Sequence, residues 1–344
     1  MITPPFLKPG DLIAITSTAR KITEEELQPA IAHFKSWGLY VMFAPNLFER
    51  DNQYAGSDEQ RTSDFQYLLD DDNVKAIVCA RGGYGTIRII DKLDFTKFRT
   101  SPKWIVGYSD VTILHSHINR NCNTETLHAI MPVNFSVSNE DTLKSFDQMR
   151  KCLFGELPVY KMHPNKLNRT GEAKGQLTGG NLSIIYSLSG SDSDVDTTGK
   201  VLFIEDIDEY LYHIDRIMQS LKRSGKLSNL AGLVVGHFTN MHDNEVPFGK
   251  SAFEIIKDAV KDFDFPVAFG LASGHEAENL PLIEGREVIM QVNNDEVILK
   301  FLEPEMHKGF SRFKNILKPS AWIIGGFILL YLLYSLFLGR IGIQ

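Results

Sequence analysis

Four short apolar runs in the first third of the chain, over 11–17, 39–44, 74–80 and 104–106, are separated by stretches with helical signals. This alternation constrains the fold more than any single residue, because parallel strands need a crossover and a helix usually supplies it. Thr23 and Glu26 stand in capping-box positions ahead of a helix reaching Trp37, and Gly38 is placed to close it. Ser57 and Gln60 open a second helix, over 57–69, in the same way. The 104–106 run reaches Gly107-Tyr108-Ser109-Asp110, after which Val111, Leu114 and Ile118 recur at spacings of three and four. The expected fold class is α/β with a parallel, doubly wound sheet.

At 344 residues the chain has room for two domains, at roughly 150 residues each. A helix over 141–153 precedes a polar, proline-bearing stretch that reads as a crossover. The expected division is an α/β domain over 1–155, a linker over 156–172 and a second domain over 173–303. The second domain opens with a turn or helix start at 175–183, continued as a helical run to Leu188. Strands follow over 200–206, 230–236, 265–270, 287–291 and 296–302, with a helix reaching Leu221 after the first of them.

The net charge of −7 argues against nucleic acid as a partner, since a phosphate backbone calls for a basic surface. Three scattered cysteines, Cys79, Cys122 and Cys152, form neither a disulfide framework nor a zinc motif, and no metal or cofactor is expected. No secretory signal is visible at the N-terminus. The C-terminus differs. Residues 320–339 form an apolar run, and about 20 such residues span a bilayer core. His307, Lys308, Arg312, Lys314 and Lys318 precede the run and only Arg340 follows it, which places the N-terminal part in the cytoplasm. The expectation is a single-pass tail anchor beyond a basic linker over 304–319, on the cytoplasmic face of the inner membrane.

Several polar groups fall at strand ends, where open α/β sheets build their sites. Ser109 sits at a strand-to-helix corner, although Gly107-Tyr108-Ser109-Asp110 departs from the Gly-x-Ser-x-Gly pattern; alone, it reads as a helix cap before it reads as a nucleophile. Glu205 ends the 200–206 run, and His275 follows the 265–270 run. A nucleophilic serine needs a base, and an imidazole base needs an acceptor to fix its tautomer. His115, His117 and His237 are rival bases. Arg81-Gly82-Gly83-Tyr84-Gly85, directly after a buried run, can present N–H groups to an anion, but it is neither a dinucleotide fingerprint nor a Walker A loop.

Five motifs, in this order, resemble the LD-carboxypeptidase family: Arg81-Gly82-Gly83-Tyr84-Gly85, Gly107-Tyr108-Ser109-Asp110, Gly179-Gly180-Asn181-Leu182, Phe203-Ile204-Glu205-Asp206 with Ile214-Asp215-Arg216, and Gly274-His275. That family comprises muramoyltetrapeptide carboxypeptidases and the microcin C immunity peptidases, and the resemblance covers about residues 8 to 302. It implies a flavodoxin- or Rossmann-like N-terminal domain and a smaller β-rich α/β C-terminal domain, commonly in a homodimer. It also implies a Ser109–His275–Glu205 triad, an oxyanion hole from the N–H groups of Gly83 and Asp110, and no metal. The implied reaction releases the terminal D-amino acid of a murein tetrapeptide. The alternatives are cleavage of aminoacyl-nucleotide antibiotics and a membrane-tethered, non-catalytic peptide binder. Arg81, Gly82, Tyr84 and Arg216 are the expected substrate contacts, with Arg81 or Arg216 meeting the terminal carboxylate. A membrane tail is not part of the family pattern.

Overall fold

A computed structural model describes residues 1–136 and 139–303. Strands β1 (Leu12–Thr16), β2 (Tyr40–Phe43), β3 (Val74–Cys79), β4 (Trp104–Gly107) and β5 (Thr126–His128) pair in parallel in the order β2-β1-β3-β4-β5. This is the flavodoxin-like order, which opens a crevice beyond the carboxyl ends of β1 and β3. Helices α1 (Glu24–Ser36), α2 (Asp58–Asp70), α3 (Thr96–Thr100), α4 (Thr112–Cys122) and α5 (Glu140–Leu153) belong to this half. The capping boxes of α1 and α2 form as expected, with both reciprocal bonds present. The stretch after the glycine loop makes only two 3-10 turns, Thr86–Arg88 and Ile90–Lys92.

The remaining strands are β6 (Val159–Met162), β7 (Gly171–Asn181), β8 (Val201–Ile207), β9 (Gly232–Thr239), β10 (Val267–Phe269), β11 (Leu282–Glu284), β12 (Glu287–Val292) and β13 (Val297–Phe301). A second sheet runs β10-β9-β8-β7-β12-β13-β6. Its first four strands are parallel, and β12, β13 and β6 extend it antiparallel. Helices α6 (Leu182–Ser187), α7 (Leu211–Arg223) and α8 (Ala252–Ala259) share an apolar core with β8, β9 and β10. The architecture is thus mixed α/β with two sheets, as expected, but one strand of the C-terminal half joins the first sheet. β11, from the C-terminal half, pairs antiparallel with β5. The segment 156–172, expected as a linker, carries β6 and the start of β7.

A second difference concerns 175–183. In place of a turn or helix start there is an 11-residue strand, β7. Its glycines mimic a turn signal because the neighbouring backbone leaves no room for a side chain. A Cβ on Gly179 would lie 1.9 Å from the Phe203 carbonyl oxygen, and one on Gly175 would lie 2.5 Å from that of Gly199.

The first sheet's core holds Phe34, Phe65, Phe98 and Trp104 and continues into Phe203, Val234 and Met290 of the second sheet. Each such side chain contributes roughly 1.5–3 kcal/mol on burial. Cys79, Cys122 and Cys152 are free and buried. One compact unit spans Met1–Glu303. Among the described residues no helix is long and apolar enough to cross a membrane. The expected span over 320–339 and its basic linker lie outside the described residues.

Candidate active site

Ser109 follows β4 and opens a 3-10 turn, Ser109–Val111, that leads into α4. Its φ is +63°, a left-handed conformation that a non-glycine residue adopts at a cost of order 1–3 kcal/mol. A strained serine between a parallel strand and a helix is the geometry of a nucleophile elbow. Its hydroxyl makes no capping bond to the helix, so the helix-cap alternative is not what the structure shows. Gly107 makes the turn possible. Its φ is +156°, and a Cβ there would lie 2.8 Å from Val111 Cγ2.

The glycine loop after β3 closes over this corner. A Cβ on Gly82 would sit 3.1 Å from Ser109 Oγ. Gly83, at φ +116°, follows directly, and among the described residues its N–H and that of Asp110 have no acceptor. The Asp110 side chain, by contrast, is engaged. Its buried carboxylate accepts from the Thr86 N–H at 2.9 Å and so ties the glycine loop to the serine corner. Burial pushes its pKa up, against the bonds from Thr86 and Gly85. The sequence marked Asp110 for its backbone and gave no sign of this bond, which joins positions 24 residues apart.

Glu205 lies on β8 and is fully buried. Its Oε2 is 2.6 Å from His275 Nδ1. Gly274 allows that approach, since a Cβ there would lie 3.1 Å from Glu205 Oε2. The His275 loop is held from several directions. Asn279 Oδ1 accepts from the Gly274 N–H at 3.0 Å, the Asn279 N–H donates to Ser145 Oγ of α5 at 2.9 Å, and Lys144 pairs with Glu278. Burial works against the charged imidazolium, but the Glu205 charge and hydrogen bond outweigh it and hold His275 above its ordinary pKa. Asp206, next to Glu205, is pushed up to about 6 by burial and by its neighbour's charge, while Asn181 and Ser183 bond its carboxylate.

The two parts meet through Tyr108, whose ring lies 4.8 Å from that of His275 and whose hydroxyl accepts from Asn134 Nδ2 at 3.2 Å. Ser109 Oγ has no hydrogen bond to His275. The rival histidines are occupied differently. His115 is fully buried, bonds the Gly107 carbonyl at 2.8 Å and is held down to about 4 by burial. His117 contacts Ser193 Oγ at 2.9 Å. His237 packs beside Gly274 and is depressed by burial, and among the described residues its Nδ1 has no hydrogen-bond partner.

Of the expected substrate contacts, only Gly82 touches Ser109. Tyr84 is exposed beside the loop, its ring 6.4 Å from that of Tyr54. Arg81 is half-committed, donating to the Lys21 carbonyl at 3.2 Å and pairing with Glu26 at 3.7 Å. Arg216 stands on an exposed face of α7, over the Tyr212 ring at 5.1 Å, and bonds no residue of the Ser109, Glu205 and His275 set. Among the described residues no cluster of ligating side chains could hold a metal.

The arrangement offers a strained hydroxyl, unoccupied N–H donors beside it and a carboxylate-oriented imidazole, which is equipment for acyl transfer without a metal. Comparisons with known proteins agree with that chemistry. Residues 13–129 match the LD-carboxypeptidase N-terminal domain, and residues 174–290 match the LD-carboxypeptidase C-terminal domain. A probable murein peptide carboxypeptidase of Bacillus subtilis is 33% identical over 86% of this chain and 94% of its own length. The murein tetrapeptide carboxypeptidase of Pseudomonas aeruginosa is 25% identical over 82% of this chain and 93% of its own. The crystal structure of a muramoyltetrapeptide carboxypeptidase from Oxalobacter formigenes superposes with a TM-score of 0.78 at 25% identity, covering 86% of this chain and 100% of that one. The microcin C7 self immunity protein MccF shares the fold, with a TM-score of 0.79 over 89% of this chain and 100% of that one, at 18% identity.

Proposed function

The chain belongs to the LD-carboxypeptidase family, and on that footing we propose how its site works. It is a serine carboxypeptidase that cleaves an L,D amide bond and releases the terminal D-amino acid, D-Ala, from murein tetrapeptides. Ser109 Oγ attacks the scissile carbonyl while His275 takes its proton, and Glu205 fixes the imidazole tautomer and offsets the charge it gains. The Gly83 and Asp110 N–H groups receive the oxyanion, each worth roughly 3 kcal/mol in the transition state. His275 then protonates the departing amine, and water hydrolyses the acyl-enzyme by the same route. The observation that carries this reading is Ser109, held at φ +63° against the glycine loop. A pair of tetrapeptides ending in D-Ala and L-Ala tests it. Release confined to D-Ala is expected; comparable release of L-Ala, or cleavage of an internal bond alone, would sink it.

The reading extends to place and assembly. The apolar run over 320–339, behind its basic flank, supports a single-pass anchor with the enzyme on the cytoplasmic face of the inner membrane. A reporter fused after Gln344 should then prove extracytoplasmic, and a cytoplasmic signal would rule that topology out. Homodimerisation is proposed on the family pattern, and light scattering of the purified protein at the monomer mass would reject it.

A further inference from the structure

A carboxypeptidase must tell a chain end from an internal bond, and the mark of the end is the α-carboxylate of the leaving residue. Neither arginine singled out in the sequence is well placed to read it. A third one is. Arg20 follows β1 at the crevice formed by the carboxyl ends of β1 and β3. Its backbone is pinned on both sides: Ser17 Oγ donates to the Arg20 carbonyl at 2.7 Å, the Ala55 N–H donates to the Ala19 carbonyl at 3.0 Å, and the Lys21 N–H donates to that of Gln53 at 3.0 Å. Its side chain lies across the glycine loop. A Cβ on Gly83 would fall 2.6 Å from Arg20 Cγ and Cδ and 2.8 Å from Nε, so the missing side chain at Gly83 is what lets Arg20 lie there.

Gly82 and Gly83 therefore separate two groups. The first abuts Ser109 Oγ and the second abuts Arg20. Adjacent Cα atoms are about 3.8 Å apart, and a leaving residue sets its carboxylate roughly that far beyond the carbonyl under attack. The other arginines around the loop already have acceptors: Arg61 bonds the Gly56 carbonyl and Asp58, Arg88 bonds Asp58, and Arg81 bonds the Lys21 carbonyl and Glu26. Arg20 is exposed, and among the described residues its guanidinium has no hydrogen-bond or ion-pair partner. A planar fork with fixed N–H donors suits bidentate capture of a carboxylate.

We propose that Arg20 binds the terminal α-carboxylate of the leaving D-amino acid and so restricts the enzyme to chain ends. This rests on the carboxypeptidase reading above, and the experiment separates the two. Steady-state kinetics compare a tetrapeptide ending in free D-Ala with the same peptide ending in D-Ala amide, for wild type, Arg20→Gln and Arg20→Lys. The acid-to-amide ratio of kcat/KM should fall roughly 10–100-fold in Arg20→Gln, mainly through KM, as expected for one lost charge-assisted contact. Arg20→Lys should restore part of it. An unchanged ratio, or an equal loss on both peptides, would overturn the assignment. Titration of the acid peptide into Ser109→Ala, with and without Arg20→Gln, reads the same contact without turnover. There the double variant should bind roughly 10-fold or more weakly, and equal affinity also overturns the assignment. Failure of the wild type to release D-Ala would count against the parent reading alone.

Discussion

Ser109 has a left-handed backbone that only its surroundings can maintain: Gly107 yields space to Val111 behind it, and Gly82 lies against its side chain. In the proposed mechanism His275 is the group whose titration gates the reaction, since only the neutral imidazole can accept the serine proton. Its folded-state pKa is raised, so kcat/KM should climb with pH on an acid limb above the ordinary imidazole value of about 6.5. Glu205→Gln removes the charge responsible. The limb should then move to lower pH while the rate falls by about 10⁴-fold, as when a triad carboxylate is replaced. A limb that stays put in Glu205→Gln would mean that another group sets it. The places of Ser109, Glu205 and His275 at or beyond strand ends were legible in the sequence, because each follows or ends an apolar run. Arg20 was not, because its claim rests on lying across Gly83, more than sixty positions away, and no local pattern records that.

Whole elements follow the same logic. The long apolar strands and the boxed helices α1 and α2 were legible, since period and caps are local. β5, β6 and β11 were not; they are 3 or 4 residues long, and pairing across the sheets defines them. β7 was misread for a physical reason, as its glycines answer crowding from β8 and not the needs of a turn. That crowding is testable. Gly179 combines φ +143° with a phantom Cβ 1.9 Å from the Phe203 carbonyl oxygen. Gly179→Ala should therefore cost at least about 3 kcal/mol in denaturant unfolding, well beyond the typical helix-interior glycine effect. A loss under about 1 kcal/mol would show that β7 and β8 can part without penalty.

At the scale of the molecule, the two sheets are joined by one core and by a buried ion pair. Arg286, ahead of β12, holds Glu125, ahead of β5, through two bonds of 2.6 Å, and also reaches Thr3 Oγ1 at 3.0 Å and the Leu302 carbonyl at 3.2 Å. Removing one partner strands the other charge in the interior. Glu125→Ala should destabilise the protein by roughly 3–5 kcal/mol, and a thermal or chemical unfolding curve that barely moves would show the pair to be dispensable. A succession of two strand-bearing stretches was legible in outline, but the return of β11 to the first sheet and the addition of β6 to the second were not, because short edge strands carry little periodicity. This joining sets Tyr108, next to the serine, against the ring of His275, which Glu205 of the other sheet bonds, and the most direct measurement addresses that union. Purified protein is incubated with a murein tetrapeptide ending in D-Ala, and free D-Ala is quantified for the wild type and for Ser109→Ala. The wild type should release D-Ala and leave the tripeptide, with the rate of the folded variant lower by about 10⁶-fold. No release by the folded wild type, or equal release by Ser109→Ala, would contradict the account.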